Sequence, residues 1–459
     1  MPHVLSKRRL GLVWVVSLAC GVACQPAWAD AQADRIDALE QRLARSVQII
    51  EQLSSRVTEL ERQTREPASP MPVAKAAQPP LTPNAGEEQA KSIAALQESV
   101  NQIAEGLSRN SNDTGIPVHG FIDVGGGWSS SRDPQRLRGF NAGSLDLYLT
   151  PQIGARVKAL VELVAEFEDN NDTSVDMERI QVGYTFSDAL TVWAGRFHAP
   201  LGLWNTSFHH GANLQTSITR PKLVEFEDRG GLVPVHAVGL WASGKTSLGD
   251  GKLTYDGYLT NGPSIHDRKL AINTFNDDNG NKMLGFNLGY KAGGEWTGLT
   301  VGLHGFASNV GSYSNPGALR STTRVRAHGA YFGYDSQDWE AIGEYYSFHD
   351  ADVDGGPSRS SNASFVHVGR TFGALTPFAR YEHASLDPRD NYFRGLETGR
   401  PFSRAVLGAR YAIDANSSLK LELSRSRESA ATQLDETGAL VDSPSAAYRR
   451  ALVQYSIAF

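Results

Sequence analysis

Between Arg196 and Arg229 the chain gathers most of the residue types that could do chemistry. Arg220, Lys222, Glu225, Glu227, Asp228 and Arg229 set both signs of charge in one short stretch, preceded by Arg196, His198, Trp204, His209 and His210. Opposed charges across a narrow passage would orient dipolar solutes; paired with one another and with a wall, the same charges would pin the segment. The histidines are candidate metal ligands or groups that titrate near neutrality. No carboxylate stands at ligand spacing from them, and Asp277-Asp278-Asn279 lacks the spaced pattern of a calcium loop. Ser207 lies close to His209, yet nucleophilic catalysis also needs an orienting third group, and no G-x-S-x-G follows the leader. Neither a cofactor nor a metal is expected, and no enzymatic activity.

The segment that must position these residues opens as a short strand, T-V-W-A-G-R-F (191–197), and then loses any steady period until Val235. Structureless connections beyond about 15 residues are uncommon in compact domains and usually functional or disordered. Trp204, Phe208, Leu214, Ile218, Leu223, Val224 and Phe226 argue against disorder, because disordered segments lack groups worth burying. The reading is a loop folded back into the lumen of a transmembrane β-barrel. The stretch G-R-F-H-A-P-L-G-L, Gly195 to Leu203, resembles the strand-to-loop junction of trimeric Gram-negative outer-membrane porins. The likeness is to the phosphate-selective O and P family and to related porins with an N-terminal periplasmic coiled coil. It implies a homotrimer in the outer membrane, a constricting third loop and an arginine ladder; the ladder does not map onto this sequence residue by residue.

Periodicity supplies the walls. From Val118 onward the apolar period is two: Ile153 to Phe167 alternates apolar residues with Arg156, Lys158, Glu162 and Glu166. Leu145, Leu147 and Leu149, and then Ile180, Val182, Tyr184 and Phe186, repeat the alternation. Short turns near 151–154, 187–189, 247–251, 292–295, 335–338, 373–376 and 414–417 interleave with long polar loops near 129–141, 169–174, 198–235, 262–281, 309–322, 350–362, 385–402 and 428–446. That wiring suits periplasmic turns and extracellular loops. The expected fold is an all-β transmembrane barrel of about 16 antiparallel strands, wide enough for an aqueous channel, with its third loop inward and a coiled-coil arm in front. Ala451, Val453, Tyr455, Ile457 and Phe459 share one face of the last strand. That strand must pair with the first, because an open edge in lipid leaves backbone groups unsatisfied. By resemblance, its terminal aromatic is an assembly signal read by the barrel assembly machinery. Trp128, Tyr184, Trp193, Trp241, Tyr290 and Trp339 fit interfacial girdles.

The first residues carry a basic cluster, Lys7-Arg8-Arg9, an apolar run and A-W-A before Asp30, the marks of a signal peptide (1–29). The two cysteines leave with it, which excludes disulfides and thiol chemistry from the mature chain. Ile36, Leu39, Leu43, Ile50, Leu53, Val57 and Leu60 follow heptad spacing within a coiled-coil segment, 30–66. A Pro/Ala-rich linker (67–86), a second helical segment (87–110) and the barrel domain (116–459) complete the chain. No apolar run in the mature chain approaches the roughly 20 residues of a spanning helix.

Parity assigns Arg156, Lys158, Arg324, Arg326, Arg404, Arg410, Lys420 and Arg450 to the lumen or its rim, with Glu162, Glu166 and Glu422 beside them. A basic surplus would favour anions such as phosphate or carboxylates; a mixed-sign wall would merely keep the pore wet. The function expected is passive diffusion of small hydrophilic solutes, with no nucleic acid as partner. The alternatives are a tether contacting peptidoglycan or another periplasmic component through its coil, and a barrel hydrolase.

Overall fold

The computed structural model describes residues 117–130, 133, 137–167, 173–208, 213–315 and 317–459. The leader, coil, linker and second helical segment lie outside the described residues, as do His209 and His210.

Sixteen antiparallel strands form one closed sheet. The first five are β1 (Val118–Ser129), β2 (Arg138–Asn141, continued by Ser144–Leu149), β3 (Val157–Phe167), β4 (Thr173–Ser187) and β5 (Leu190–His198). Next come β6 (His236–Leu248), β7 (Gly251–Asn261), β8 (Lys282–Lys291), β9 (Leu299–Ser314), β10 (Ala318–Asp335) and β11 (Trp339–Asp352). The wall ends with β12 (Arg359–Arg370), β13 (Leu375–Ser385), β14 (Phe402–Ala412), β15 (Ser417–Glu428) and β16 (Ala446–Ala458). Each pairs with the next, and β16 pairs with β1 from Phe121↔Ala458 to Ser129↔Arg450. Phe459 finishes the seam: its N–H donates to the Gly120 carbonyl and its carbonyl accepts from the Gly120 N–H, each at 3.0 Å.

The two-residue period becomes an inverted solvation pattern. On β15, Leu421 and Leu423 are 52% and 51% exposed, whereas Lys420 and Glu422 between them are fully buried. A water-soluble sheet would do the reverse; here the apolar row faces outward and the charged row faces other protein across the lumen. Among the described strands of the wall no backbone edge is left open, as a barrel in hydrocarbon requires.

Two sequence expectations need correction. The loop expected at 309–322 shrinks to residues 315–317, because β9 and β10 continue together past the apolar belt; 350–362 shrinks likewise to 353–358. Trp193 and Trp241 are not girdle residues. They stack on each other with centroids 5.5 Å apart and hydrogen-bond Ser243 and Asp256 on the lumen side. Trp128 and Trp339 do face outward, 54% and 43% exposed.

Much of the lumen is filled. The third long connection, 199–235 (L3), turns inward and carries the short helix α1 (Trp204–Ser207). Its apolar residues Leu201, Trp204, Leu223, Val224, Leu232 and Val233 form one core with wall residues Phe306, Val325, Phe348 and Phe365. The hairpin Pro263–His266/Lys269–Ile272 in the fourth long loop adds Ile265 and Leu270. Helix α2 (Asn391–Gly395) in the seventh long loop (L7) adds Tyr392 and Phe393.

Candidate functional site

L3 leaves the wall after His198; three residues upstream Gly195 has a φ of 127° that suits glycine alone, and a Cβ added there would collide with the Ile180 carbonyl. Exit and re-entry are stapled together. Glu178 meets Arg196 at 3.1 Å and the His236 ring at 3.0 Å, and the other ring nitrogen of His236 meets Glu227 at 2.9 Å. Glu227 also accepts the Val235 and His236 N–H groups at 2.6 and 2.8 Å. Burial raises its pKa, but the His236 ring and these donors outweigh that and hold it below the ordinary range.

The loop then crosses to the far wall, and each contact supplies a partner for a backbone group that would otherwise be orphaned. Glu344 on β11 accepts the Leu203 N–H at 2.9 Å and the Trp204 N–H, while the Tyr346 hydroxyl donates to it at 2.8 Å. Gly202, at φ 69°, leaves room for that carboxylate, which a Cβ there would strike. Asn287 on β8 donates to the Gly202 carbonyl at 2.8 Å. Trp204 packs edge-on against Phe365 with centroids 5.7 Å apart.

Arg220 braces the loop from within. Its guanidinium donates to the carbonyls of Val224 (2.9 Å) and Phe208 (2.8 Å) and to Asn205 (3.1 Å), and lies 4.3 Å from the Phe226 ring. Burial brings its pKa down to about 10, so it remains charged at neutral pH.

The tip of L3 is held by a row of charges on β13–β15. Glu422 accepts the N–H groups of Ile218 (2.9 Å) and Thr219 (3.1 Å) and the Thr219 hydroxyl (2.5 Å). Arg380 donates to Ser217, to the Thr219 carbonyl and hydroxyl, and to the Arg220 carbonyl over 2.8–3.2 Å, while Glu382 fixes its Nε at 2.8 Å. Arg404 donates to the Thr219 hydroxyl at 2.7 Å, and Lys420 to the Gln215 carbonyl at 2.6 Å. Lys222 caps the cluster at 2.7 Å from Glu428, which Arg400 also engages. Burial lowers the Lys222 pKa against the pull of Glu428.

The opposite face of L3 is open. Asp228 and Arg229 are exposed, and Arg229 reaches Glu166 on β3 at 2.6 Å. The protein around Asp228 withholds solvent, and Glu166, Glu225 and Glu227 crowd it; its pKa is pushed up to about 6 against the pull of Arg229. An outer cavity of about 880 Å³ lies between this face and β1, β2 and β16. Among the described residues its lining holds six cations (Arg138, Lys222, Arg229, Arg400, Arg404, Arg450) and four carboxylates (Asp123, Glu225, Glu397, Glu428). A second cavity of about 420 Å³ lies toward the short-turn end, lined by Lys158, Asp188, Lys245, Asp256, Lys291 and α1.

The sequence-derived residues therefore separate into groups. Lys222, Glu225, Arg229, Arg404 and Arg450 line the outer cavity, with Arg450 paired to Asp133 at 2.6 Å, and Lys158 lines the other. Trp204, Arg220 and Glu227 are buried inside the loop's own framework; Arg196 and His198 sit at its exit, His198 with its ring 5.0 Å from that of His236. Lys420 and Arg410 face the loop from β15 and β14. Three expectations are corrected. Arg324 and Arg326 share the outward face of Phe332 and Tyr334, while Val325 between them is fully buried in the core. Parity misled there because β10 outruns the apolar belt and its outward row becomes polar. Arg156 sits in an exposed turn beside the outward Tyr184 hydroxyl, at 3.5 Å. Arg380, Glu382, Glu344, Asn287 and Glu428 were missed. Each occupies a buried alternate position on its strand, a parity signal that was available.

No protein-family model matches the sequence, and no curated protein matches it. Solved structures do resemble it. An anion-selective porin from Comamonas acidovorans aligns over 76% of this chain and 100% of its own, at 14% identity and a TM-score of 0.53. The outer membrane channel DcaP of Acinetobacter baumannii aligns over 76% and 99%, at 12% identity and a TM-score of 0.45. The trimer form of Vibrio cholerae OmpT aligns over 75% and 100%, at 11% and 0.47. The first of these likenesses is a likeness of fold: a porin-type barrel.

Proposed function

We propose that the protein is an outer-membrane porin, a homotrimer whose water-filled barrels pass small hydrophilic solutes down their gradients with a preference for anions. One observation carries this reading: a closed barrel with an outward apolar belt holds a charged loop across its lumen, with a polar cavity on either side. Arg138 and Arg229, exposed on the lining of the outer cavity, support the anion preference, since cations presented to a confined, low-dielectric passage concentrate anions. The exposed guanidinium groups of Arg138 and Arg229 in that lining suit phosphate and carboxylate groups, which guanidinium binds through two parallel hydrogen bonds. The fold shared with an anion-selective porin agrees with the reading without deciding it.

Single-channel recording of the purified chain in planar bilayers tests this. Steps with a reversal potential on the anion side under a potassium chloride gradient are expected, reduced by millimolar phosphate if the cationic lining binds it. Absence of any conductance would sink the porin reading and favour a tether acting through residues 30–66.

A further inference from the structure

The outward surface carries a charged patch that channel function does not use. On β15 the outward row reads Leu419, Leu421, Leu423 and then Arg425, Arg427, all exposed. On β16 the row rises from Val453 through Ala451 to the exposed Arg449. Register puts Arg425 directly opposite Arg449, and one step lower sets Leu423 beside Ala451 and Ala451 beside Trp128. The surface therefore passes from an aromatic and aliphatic row to a cationic row within two residues.

Like charges directly opposite on neighbouring strands repel. Among the described residues none of these three arginines has a carboxylate partner, whereas Arg450, next in sequence but facing inward, is paired with Asp133. An anion from outside the chain would relieve that repulsion. Height identifies which. A strand rises about 3.3 Å per residue and tilts by about 40°, giving about 2.5 Å of height per residue. Arg425 and Arg427 then stand about 20 and 25 Å above Ser417 at the short-turn end, where an apolar band about 25 Å tall gives way to headgroups. Phe332, Ala330, His328, Arg326 and Arg324 repeat the order on β10.

We propose that Arg425, Arg427 and Arg449 form a binding site for the phosphate groups of an outer-leaflet lipid. Guanidinium matches phosphate through paired hydrogen bonds, the acyl chains lie along Leu421, Leu423 and Val453, and the bound phosphate relieves the repulsion between Arg425 and Arg449. The proposal rests on the membrane reading above but not on the selectivity of the pore.

The test uses the full chain purified in neutral detergent, with bisphosphorylated lipid A, its dephosphorylated counterpart and inorganic phosphate as separate probes in native mass spectrometry. Retention of the phosphorylated lipid is expected, with at least about tenfold weaker binding (about 1.4 kcal/mol) in the R425Q/R427Q/R449Q variant and unchanged single-channel conductance. Equal binding of both lipids, equal binding by the variant, or displacement by millimolar phosphate alone would overturn the proposal. So would efficient cross-linking between copies through Arg449→Cys, which would make this face a protein interface. A wild-type chain that binds the lipid and conducts nothing would sink the porin reading and leave the lipid site standing.

Discussion

The two faces of L3 solve opposite problems. The face toward β11–β15 is dry: Trp204, Leu223, Val224 and Leu232 are no more than 2% exposed, and its polar groups meet Glu344, Arg380, Glu382 and Glu422 at hydrogen-bonding distance. The face toward β1–β3 leaves Asp228 and Arg229 exposed, and Arg229 lines the outer cavity and pairs with Glu166 on the wall. Charge does structural work on the first face, because a buried ion must be matched or removed. On the second it is left for whatever passes. The number of charges does not tell the two apart; what each charge faces does.

Breaking the dry face should have the largest effect. Arg380→Ala leaves Glu382 without its closest cation and several loop carbonyls without donors, a loss of about 3–5 kcal/mol by analogy with broken buried pairs. Denaturant melts of the detergent-solubilised protein should show it, and channel recordings should show larger, noisier steps as the tip of the loop comes away. Trp204→Ala should cost about 3–5 kcal/mol through its cavity and loosen α1, with Glu344 still holding the backbone; unchanged stability would mean the loop does not rest on this core. Changes on the wet face should leave stability nearly intact and move selectivity instead. Arg229→Gln, which removes the cation without adding a carboxylate beside Glu166, is expected to lower the chloride-to-potassium permeability ratio measurably while costing no more than about 1 kcal/mol of stability, the usual worth of a partly exposed ion pair. The smallest effect is that of acid. Because the Asp228 pKa is raised to about 6, its proton is held more tightly in the folded loop than in the unfolded chain. Its charge therefore costs stability as pH climbs from about 4 through about 6, and the cost is absent below that window. Lowering pH from 7 to 5 should neutralise it, leave Arg229 less compensated and shift reversal potentials modestly toward anions; Asp228→Asn should abolish the shift.

The wall was legible in the chain because a strand writes its surroundings into alternate residues, and β15 states that rule in every position from Leu419 to Arg427. It misled where the outward row stops being apolar, at Arg324 and Arg326, where a strand gives way to a turn, at Arg156, and where aromatic residues sit on the inward row, at Trp193 and Trp241. The inward course of L3 was legible from its aromatic content and its length. Its partners were not. Leu203 meets Glu344 and Thr219 meets Glu422 across separations of 141 and 203 residues, and nothing local in either segment specifies the other. His236, which ties both ends of the loop together, is the first residue of a strand and carries no period that would single it out.

Those separations make the aperture a property of the closed barrel. The tip of L3 rests on Arg380, Arg404 and Glu422, which three neighbouring strands, β13, β14 and β15, hold side by side. A sheet lacking any one of the three has no complete seat for the tip. The width of the hole is therefore set by the pairing of those strands as much as by the loop that spans it.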